Sequence, residues 1–433
     1  MKNLDRRQFL GSIARPAALA TVAISNPTLM GKAITKIKTA VGSPKDVARD
    51  ESYWREIQQG YTADRGLINL NNGGVSPSPT VVMNALKRHL DFSNTSPAYS
   101  MWRILEPQKE TVRRRMARVF NCDTEEIALT RNASEGLQIC QNGIDLKAGD
   151  EVLTTTQDYG RMIATFKQRE CRDGIVMKQF KIPIPAENEN EIVRLFEKNI
   201  TPKTKMILMC HMINITGQIL PVKKVVRMAK KYNIPVIVDG AHTFAHFDFN
   251  LDDLECDYYA TSLHKWLSAP FGTGMLYVRK NKIADLWPMQ AAWSNECKND
   301  DIRKFEEVGT HPCPNKIAIG DALTFHQGIG SKNKEQRLIY LRDRWAKRLL
   351  KNDRIKLHTS LKPGKSCAIA TVEIEGIDTS AVAKELWDKY RIFVVAINHA
   401  EFTGCRITPH VYTTIEEIDR FADAMEAILK HGV

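Results

Sequence analysis

The chain has 433 residues, 43% of them hydrophobic and 26% charged, with a formal net charge of +12. That length exceeds one small domain and supports a large core plus a second, smaller unit, and the hydrophobic fraction excludes wholesale disorder. The basic residues are dispersed among acidic ones, with no long Lys/Arg run and no finger or RRM-type motif. This pattern argues against a nucleic-acid partner and for a solvated surface that mildly attracts anions. The nine cysteines include no C-x-x-C pair and none spaced with histidines as in a zinc finger, so no metal site is expected and the thiols read as scattered and structural.

At the start, Asp5-Arg6-Arg7-Gln8-Phe9-Leu10 precedes a modestly apolar stretch from Ala17 to Ile24. Paired arginines before Phe-Leu resemble a bacterial twin-arginine export signal, which a receptor reads, and the apolar run is too short for stable membrane insertion. The expectation is export through the twin-arginine machinery to the periplasm or beyond. The alternative is a basic tail on a cytoplasmic protein. A polar linker follows from Gly31 to about Asp50. From about Glu125 to Arg279, short apolar runs alternate with amphipathic helical patterns, the signature of an α/β sheet with crossover helices. Strands are predicted at Ile127 to Thr130, Glu151 to Thr155 and Lys205 to Cys210, with a helix opening at Ser134. The spacing of Val222, Val225, Val226 and Ala229 predicts a helix that stops at Asn233-Ile234-Pro235. The β-branched run Val236-Ile237-Val238 then predicts a strand buried on both faces, followed by strands at Tyr258 to Thr261 and Met275 to Val278. Beyond Lys298 the pattern changes to charged helices around Asn333 to Lys351, then strands at Ala368 to Ile374 and Ile392 to Val395. A capping box, Thr414 with Glu417, opens the last helix. Three segments are expected: residues 1–45 as signal and linker, 46–297 as an N-terminal segment with a large mainly parallel α/β domain, and 298–433 as a smaller α+β domain.

Ligands of open α/β sheets gather at the carboxyl ends of the strands. Asp239 ends one predicted strand, followed by Gly240-Ala241-His242, and the next strand leads into Ser262-Leu263-His264-Lys265. An acid at one strand end and a lysine at the next suit pyridoxal 5′-phosphate (PLP). The lysine condenses with its aldehyde, and the acid keeps the pyridinium nitrogen protonated. Singly, Asp239 also reads as a helix cap and Lys265 as a surface charge; the pair carries the reading.

Those two motifs, in that order and separation, resemble the class V aminotransferase-like family of fold-type I PLP enzymes, over most of the chain from about Asn69. The resemblance implies Lys265 as the Schiff-base lysine, Asp239 as partner of the ring nitrogen, and His242 at the phenolic oxygen or ring face. It also implies that Ala133 and Ser134, at a helix start where free N–H groups favour a dianion, hold the phosphate together with Ser262 and His264. Ser134 alone reads equally well as an N-cap. Tyr159 matches an aromatic stacked on the ring, and Asn214 an asparagine near the phenolic oxygen. Gly309 and Thr310 match residues that reach a neighbouring subunit's phosphate, which implies a homodimer with shared sites. Arg406 resembles the arginine that grips the carboxylate of an amino-acid substrate, its plain alternative being a structural ion pair. Asn71, Asn72, Gly73 and Gly74 resemble the strand–turn entering the site, with Asn72 as a substrate contact or, more simply, part of a turn.

The compact run from Val394 to Tyr412 and the Asp-Gly-Ala-His motif look closest to the isopenicillin N epimerase-like subgroup. Desulfurases of the group carry a nucleophilic cysteine on a loop well upstream of the arginine, whereas the only cysteine near Arg406 is Cys405, immediately before it. The expected activity is therefore chemistry at the α-carbon of an amino acid, with α-proton abstraction by Lys265. Alternatives are an aminotransferase, a C–S lyase, a desulfurase, or an exported binding protein that retains the fold.

Overall fold

The computed structural model describes residues 42–292 and 299–433; the expected export signal lies outside the described residues. Short apolar runs build a seven-stranded sheet from β2 (Ile127–Thr130), β3 (Glu151–Thr155), β4 (Val176–Phe180), β5 (Thr204–Cys210), β6 (Val236–Asp239), β7 (Tyr258–Ser262) and β8 (Gly274–Val278), in the order β2-β8-β7-β6-β5-β3-β4. The pairs from β4 to β7 are parallel, and β8 runs antiparallel to both β7 and β2. β6 is buried at every position, as its unbroken β-branched run requires of a strand covered on both faces. The edge strand β4 was not legible: its sequence, Val-Met-Lys-Gln-Phe, lacks the apolar character of the central strands because one side faces water.

A second sheet, β12-β13-β10-β9, is antiparallel and is built from β9 (Ile355–Leu357), β10 (Ala370–Ile374), β12 (Val395–His399) and β13 (Phe402–Ile407). Helices Ser331–Leu349, Thr379–Tyr390 and Ile415–His431 cover it, burying Leu341, Trp345, Leu386, Phe421 and Met425 in one cluster. The capping box of the last helix forms in both directions, Glu417 N–H to Thr414 Oγ1 at 3.1 Å and Thr414 N–H to Glu417 Oε2 at 2.8 Å.

Packing does not follow the expected division at residues 297 and 298. Ile302 and Phe305 pack beneath the large sheet, and Ala318, Ile319, Ala322 and Leu323 enter its other core beside Val112 and Met116. The second core gains its helical cover only from Ser331 onward. Conversely, Ile68 and Leu70, well before the large sheet in sequence, belong to the second core, because β1 (Ile68–Asn69) pairs in parallel with β11 (Ile392–Phe393). The run predicted as one strand from Ile392 to Val395 is therefore divided between two sheets. Among the described residues no helix is long and apolar enough to cross a membrane.

Candidate active site

Five parallel strands, β2, β3, β5, β6 and β7, deliver their carboxyl ends to one edge of the large sheet. There they place Arg131–Ser134, Asp158–Tyr159, His211–Asn214, Asp239–His242 and Ser262–Lys265 along a single cleft. Asp239 closes β6 and is 4% exposed. Its Oδ1 accepts the Ala241 N–H at 2.9 Å. Burial raises its pKa, opposed by that N–H and by the charge of Lys265. Gly240 is required here: a Cβ would lie 2.1 Å from Cζ of Tyr259, so any side chain would push the Asp239–His242 turn off the sheet.

Lys265 Nζ lies 2.9 Å from His242 Nε2. Desolvation lowers the lysine's pKa, with Asp239 opposing and Arg406 adding to the shift; it also holds the buried His242 neutral, well below the usual imidazole range. The arrangement thus sets a buried carboxylate and an amine with a weakened hold on its proton in one cleft, two groups whose environments move their pKa values toward each other.

At the end of β2, the Asn132 side chain caps helix Ala133–Gly143 by accepting the Glu135 N–H at 2.8 Å. Asn132, not Ser134, is the N-cap, so the Ser134 hydroxyl is not spent on capping this helix. Ser262 Oγ accepts the Ala133 N–H at 3.0 Å, tying the end of β7 to that helix start and leaving the Ser262 hydroxyl hydrogen available to a ligand. His264 donates Nδ1–H to Thr273 O at 3.1 Å, so its Nε2 is the free nitrogen. Gly274 allows β8 to pass this turn, since a Cβ there would lie 2.5 Å from Asn132 Cα.

Arg406, on β13, reaches the cleft from the second sheet and is 7% exposed. Its Nη1 donates to Asn214 O at 3.1 Å and its Nη2 to Asn71 Oδ1 at 2.9 Å, while its Nε–H has no acceptor. No carboxylate pairs with it among the described residues, so the structural ion-pair alternative is not what the geometry shows. Asn214 contributes its main-chain oxygen to Arg406. Tyr159, at the start of helix Gly160–Asp173, lies near Arg406.

Asn72 does not fit the expected substrate contact. It is fully buried, its amide donates to Asn69 O at 3.0 Å and Thr408 O at 2.9 Å, and its Oδ1 accepts the Tyr412 hydroxyl at 2.7 Å. Every polar valence serves the turn, and Asn71 is the residue that reaches the arginine. Thr310 is exposed and makes no hydrogen bond to the cleft residues described here.

Asp158 was missed in the sequence. Its carboxylate accepts from Thr154 Oγ1, Thr155 N–H, Thr155 Oγ1 and Cys210 N–H, at 2.7 to 2.8 Å, lacing the end of β3 to β5. Its position just past a predicted strand was the available signal. Trp266 was passed over as a neighbour of the lysine, yet it is fully buried and its indole N–H points at His242 Nδ1, 3.5 Å away.

The donor set fits a phosphate-bearing pyridine aldehyde. A hydroxyl is tied to a helix start, a carboxylate stands at a strand end, an amine lies beside an imidazole, and an arginine Nε–H has no acceptor among the described residues. Fold and cleft together define a fold-type I PLP-dependent enzyme. The family model for class-V aminotransferases matches residues 68–421, and the chain belongs to that family. It is 27% identical over 394 residues to an isopenicillin N epimerase of Amycolatopsis lactamdurans, covering 87% of this chain and 99% of that one. It is 25% identical over 391 residues to a hercynylcysteine sulfoxide lyase of Schizosaccharomyces pombe, covering 86% and 96%. Among solved structures, an apo cysteine desulfurase from Thermococcus onnurineus superposes with a TM-score of 0.77 at 21% identity, over 87% of this chain and 98% of that one.

Proposed function

We propose that the chain acts at the α-carbon of an amino acid or amino-acid-derived substrate, with epimerisation as the outcome. The observation that carries this reading is Arg406, a buried guanidinium that among the described residues has an unpartnered N–H and no carboxylate partner, close enough to Lys265 to act on its charge. Such a fork grips a substrate carboxylate and brings the α-carbon to the lysine. PLP held there would supply an aldehyde able to condense with amines and a ring able to draw electrons from the α-carbon. Asp239 is assigned to the ring nitrogen, Ala133, Ser134, Ser262 and His264 to the phosphate, and Lys265 to removal of the α-proton.

Desulfuration is disfavoured by Cys405. Successive residues of a strand point to opposite faces, so with Arg406 turned to the cleft the Cys405 thiol turns away, 3.7 Å from Thr379 O. Burial pushes its pKa up to about 12, the reverse of what a nucleophilic thiolate needs. Epimerisation requires a proton returned on the face opposite Lys265. His242 sits beside the lysine itself, so Tyr159 is assigned that step. The likeness to isopenicillin N epimerases supports the assignment at the level of reaction type. Thr310 is assigned to the site of a second copy of the chain.

Incubation in deuterated water with a panel of amino acids tests the proposal. Exchange of the α-hydrogen with loss of chirality is expected. Release of keto acid, ammonia or sulfide without racemisation would replace it with a transaminase, lyase or desulfurase reading.

A further inference from the structure

We infer that Trp266 is a positioning residue that fixes which nitrogen of His242 carries the hydrogen, and through it the form of Lys265 that the site favours. The inference rests on the reading above only in treating Lys265 as the working amine. An indole N–H donates and never accepts. Trp266 Nε1 lies 3.5 Å from His242 Nδ1, so Nδ1 must offer its lone pair, and the hydrogen of the neutral ring resides on Nε2. Nε2 is the nitrogen that faces Lys265 Nζ at 2.9 Å. An N–H aimed at an amine requires the amine's lone pair as acceptor, which only the uncharged lysine has. The other tautomer would present a lone pair and favour the ammonium. Condensation with an aldehyde and removal of a proton both need the uncharged amine.

The indole is held so that it has little freedom to turn away. It is fully buried and lies between two imidazoles, His246 with ring centroids 3.5 Å apart and planes at 11°, and His410 at 5.6 Å and 15°. The main-chain oxygen of Trp266 accepts a hydrogen bond from the buried Lys334 ammonium. His246 in turn fixes the main chain of His242. Its Nε2 accepts the Ala368 N–H at 2.9 Å, which places its own hydrogen on Nδ1, and Nδ1–H donates to His242 O at 2.7 Å. Backbone and ring of His242 are thus held by two side chains that stack on each other, the backbone by an imidazole and the ring by an indole.

The test is a spectroscopic one. Full-length protein labelled with 15N-histidine, with and without cofactor, is recorded by long-range 1H–15N correlation, and the His242 ring is identified by its loss in His242→Asn. The expected spectrum shows Nε2 in the protonated range and Nδ1 in the unprotonated range. In Trp266→Phe, which keeps a ring between His246 and His410 but removes the donor, the Nδ1 signal should shift toward the protonated range. A wild-type ring protonated on Nδ1 overturns the inference, even if the variant does not fold. So does an unchanged ring in folded Trp266→Phe. Borohydride trapping of the cofactor at a side chain other than Lys265 would overturn the functional reading and leave this tautomer assignment standing.

Discussion

At the scale of single residues, the proposed function separates a group assigned to grip from groups assigned to move protons, and each makes its own prediction. Removing Arg406 takes away a buried charge and a fork; truncating such a partner typically costs about 2–5 kcal/mol. Arg406→Ala is therefore expected to lower kcat/KM by about 30-fold or more, chiefly through KM. The comparison that checks it uses the amine corresponding to each amino acid, without the carboxylate. Wild type and variant should handle the amine equally, and a variant equally impaired on both would mean that Arg406 serves the fold. Arg406→Lys keeps the charge but not the planar fork and should recover little. Tyr159→Phe separates the two proton steps. Exchange of the α-hydrogen with solvent, driven by Lys265, should persist while racemisation falls. A variant that racemises at the wild-type rate would move the second proton to water. The sequence exposed the acid, the lysine and the arginine because each stands beside a strand end or a turn with a distinctive motif. It did not separate Asn71 from Asn72, because only the pairing with Thr408 and Tyr412 decides which of two adjacent amides is spent on the turn.

At the scale of elements, the helix Ala133–Gly143 carries a cap and the proposed phosphate site on one turn. Asn132→Ala removes the acceptor for the Glu135 N–H and is expected to cost about 1 kcal/mol of stability. It should also loosen the first turn, from Ala133 to Ser134, that is proposed to hold the phosphate. The measurement is the ratio of affinities for PLP and for pyridoxal, which lacks the phosphate. The ratio should fall in Asn132→Ala, whereas an equal loss for both ligands would mean that this turn does not hold the phosphate. The central strands and their crossover helices were readable from periodicity because burial on both faces demands uninterrupted apolar runs. The boundary between the two cores was not, since residues 302–323 cross back under the large sheet through tertiary packing that no local pattern encodes. The division of Ile392 to Val395 between β11 and β12 has the same cause: the partner strand β1 comes from more than three hundred residues earlier in the chain.

At the scale of the whole molecule, a set of buried imidazoles makes the fold sensitive to acid. Burial lowers the pKa of His211, His246 and His326 to about 3 and of His264 to about 4, and it holds His242 and His410 well below the ordinary range. In the unfolded chain each returns to about 6.5. Below that pH the unfolded state binds more protons than the native state, so stability rises with pH through this window and is lost as pH falls toward the folded values. Each imidazole contributes a slope of at most about 1.4 kcal/mol per pH unit. Because these rings all act in the same direction, their combined slope is large against the roughly 5–15 kcal/mol that holds a typical protein folded. Asp239, Asp321 and Glu335 act in the opposite sense, because burial raises their pKa values and so adds stability as pH falls, but the imidazoles outnumber them. Urea unfolding followed between pH 8 and pH 5 should therefore show a steep loss of stability below about pH 6.5. His326 offers a controlled test, since its Nδ1 has no hydrogen-bond partner and its Nε2 meets only Ser331 Oγ at 3.3 Å. In His326→Gln the slope below pH 6.5 should become shallower by about one proton's worth. A profile that is flat to pH 5 in the wild type, or a slope unchanged in the variant, would mean that these rings take up protons without unfolding the chain.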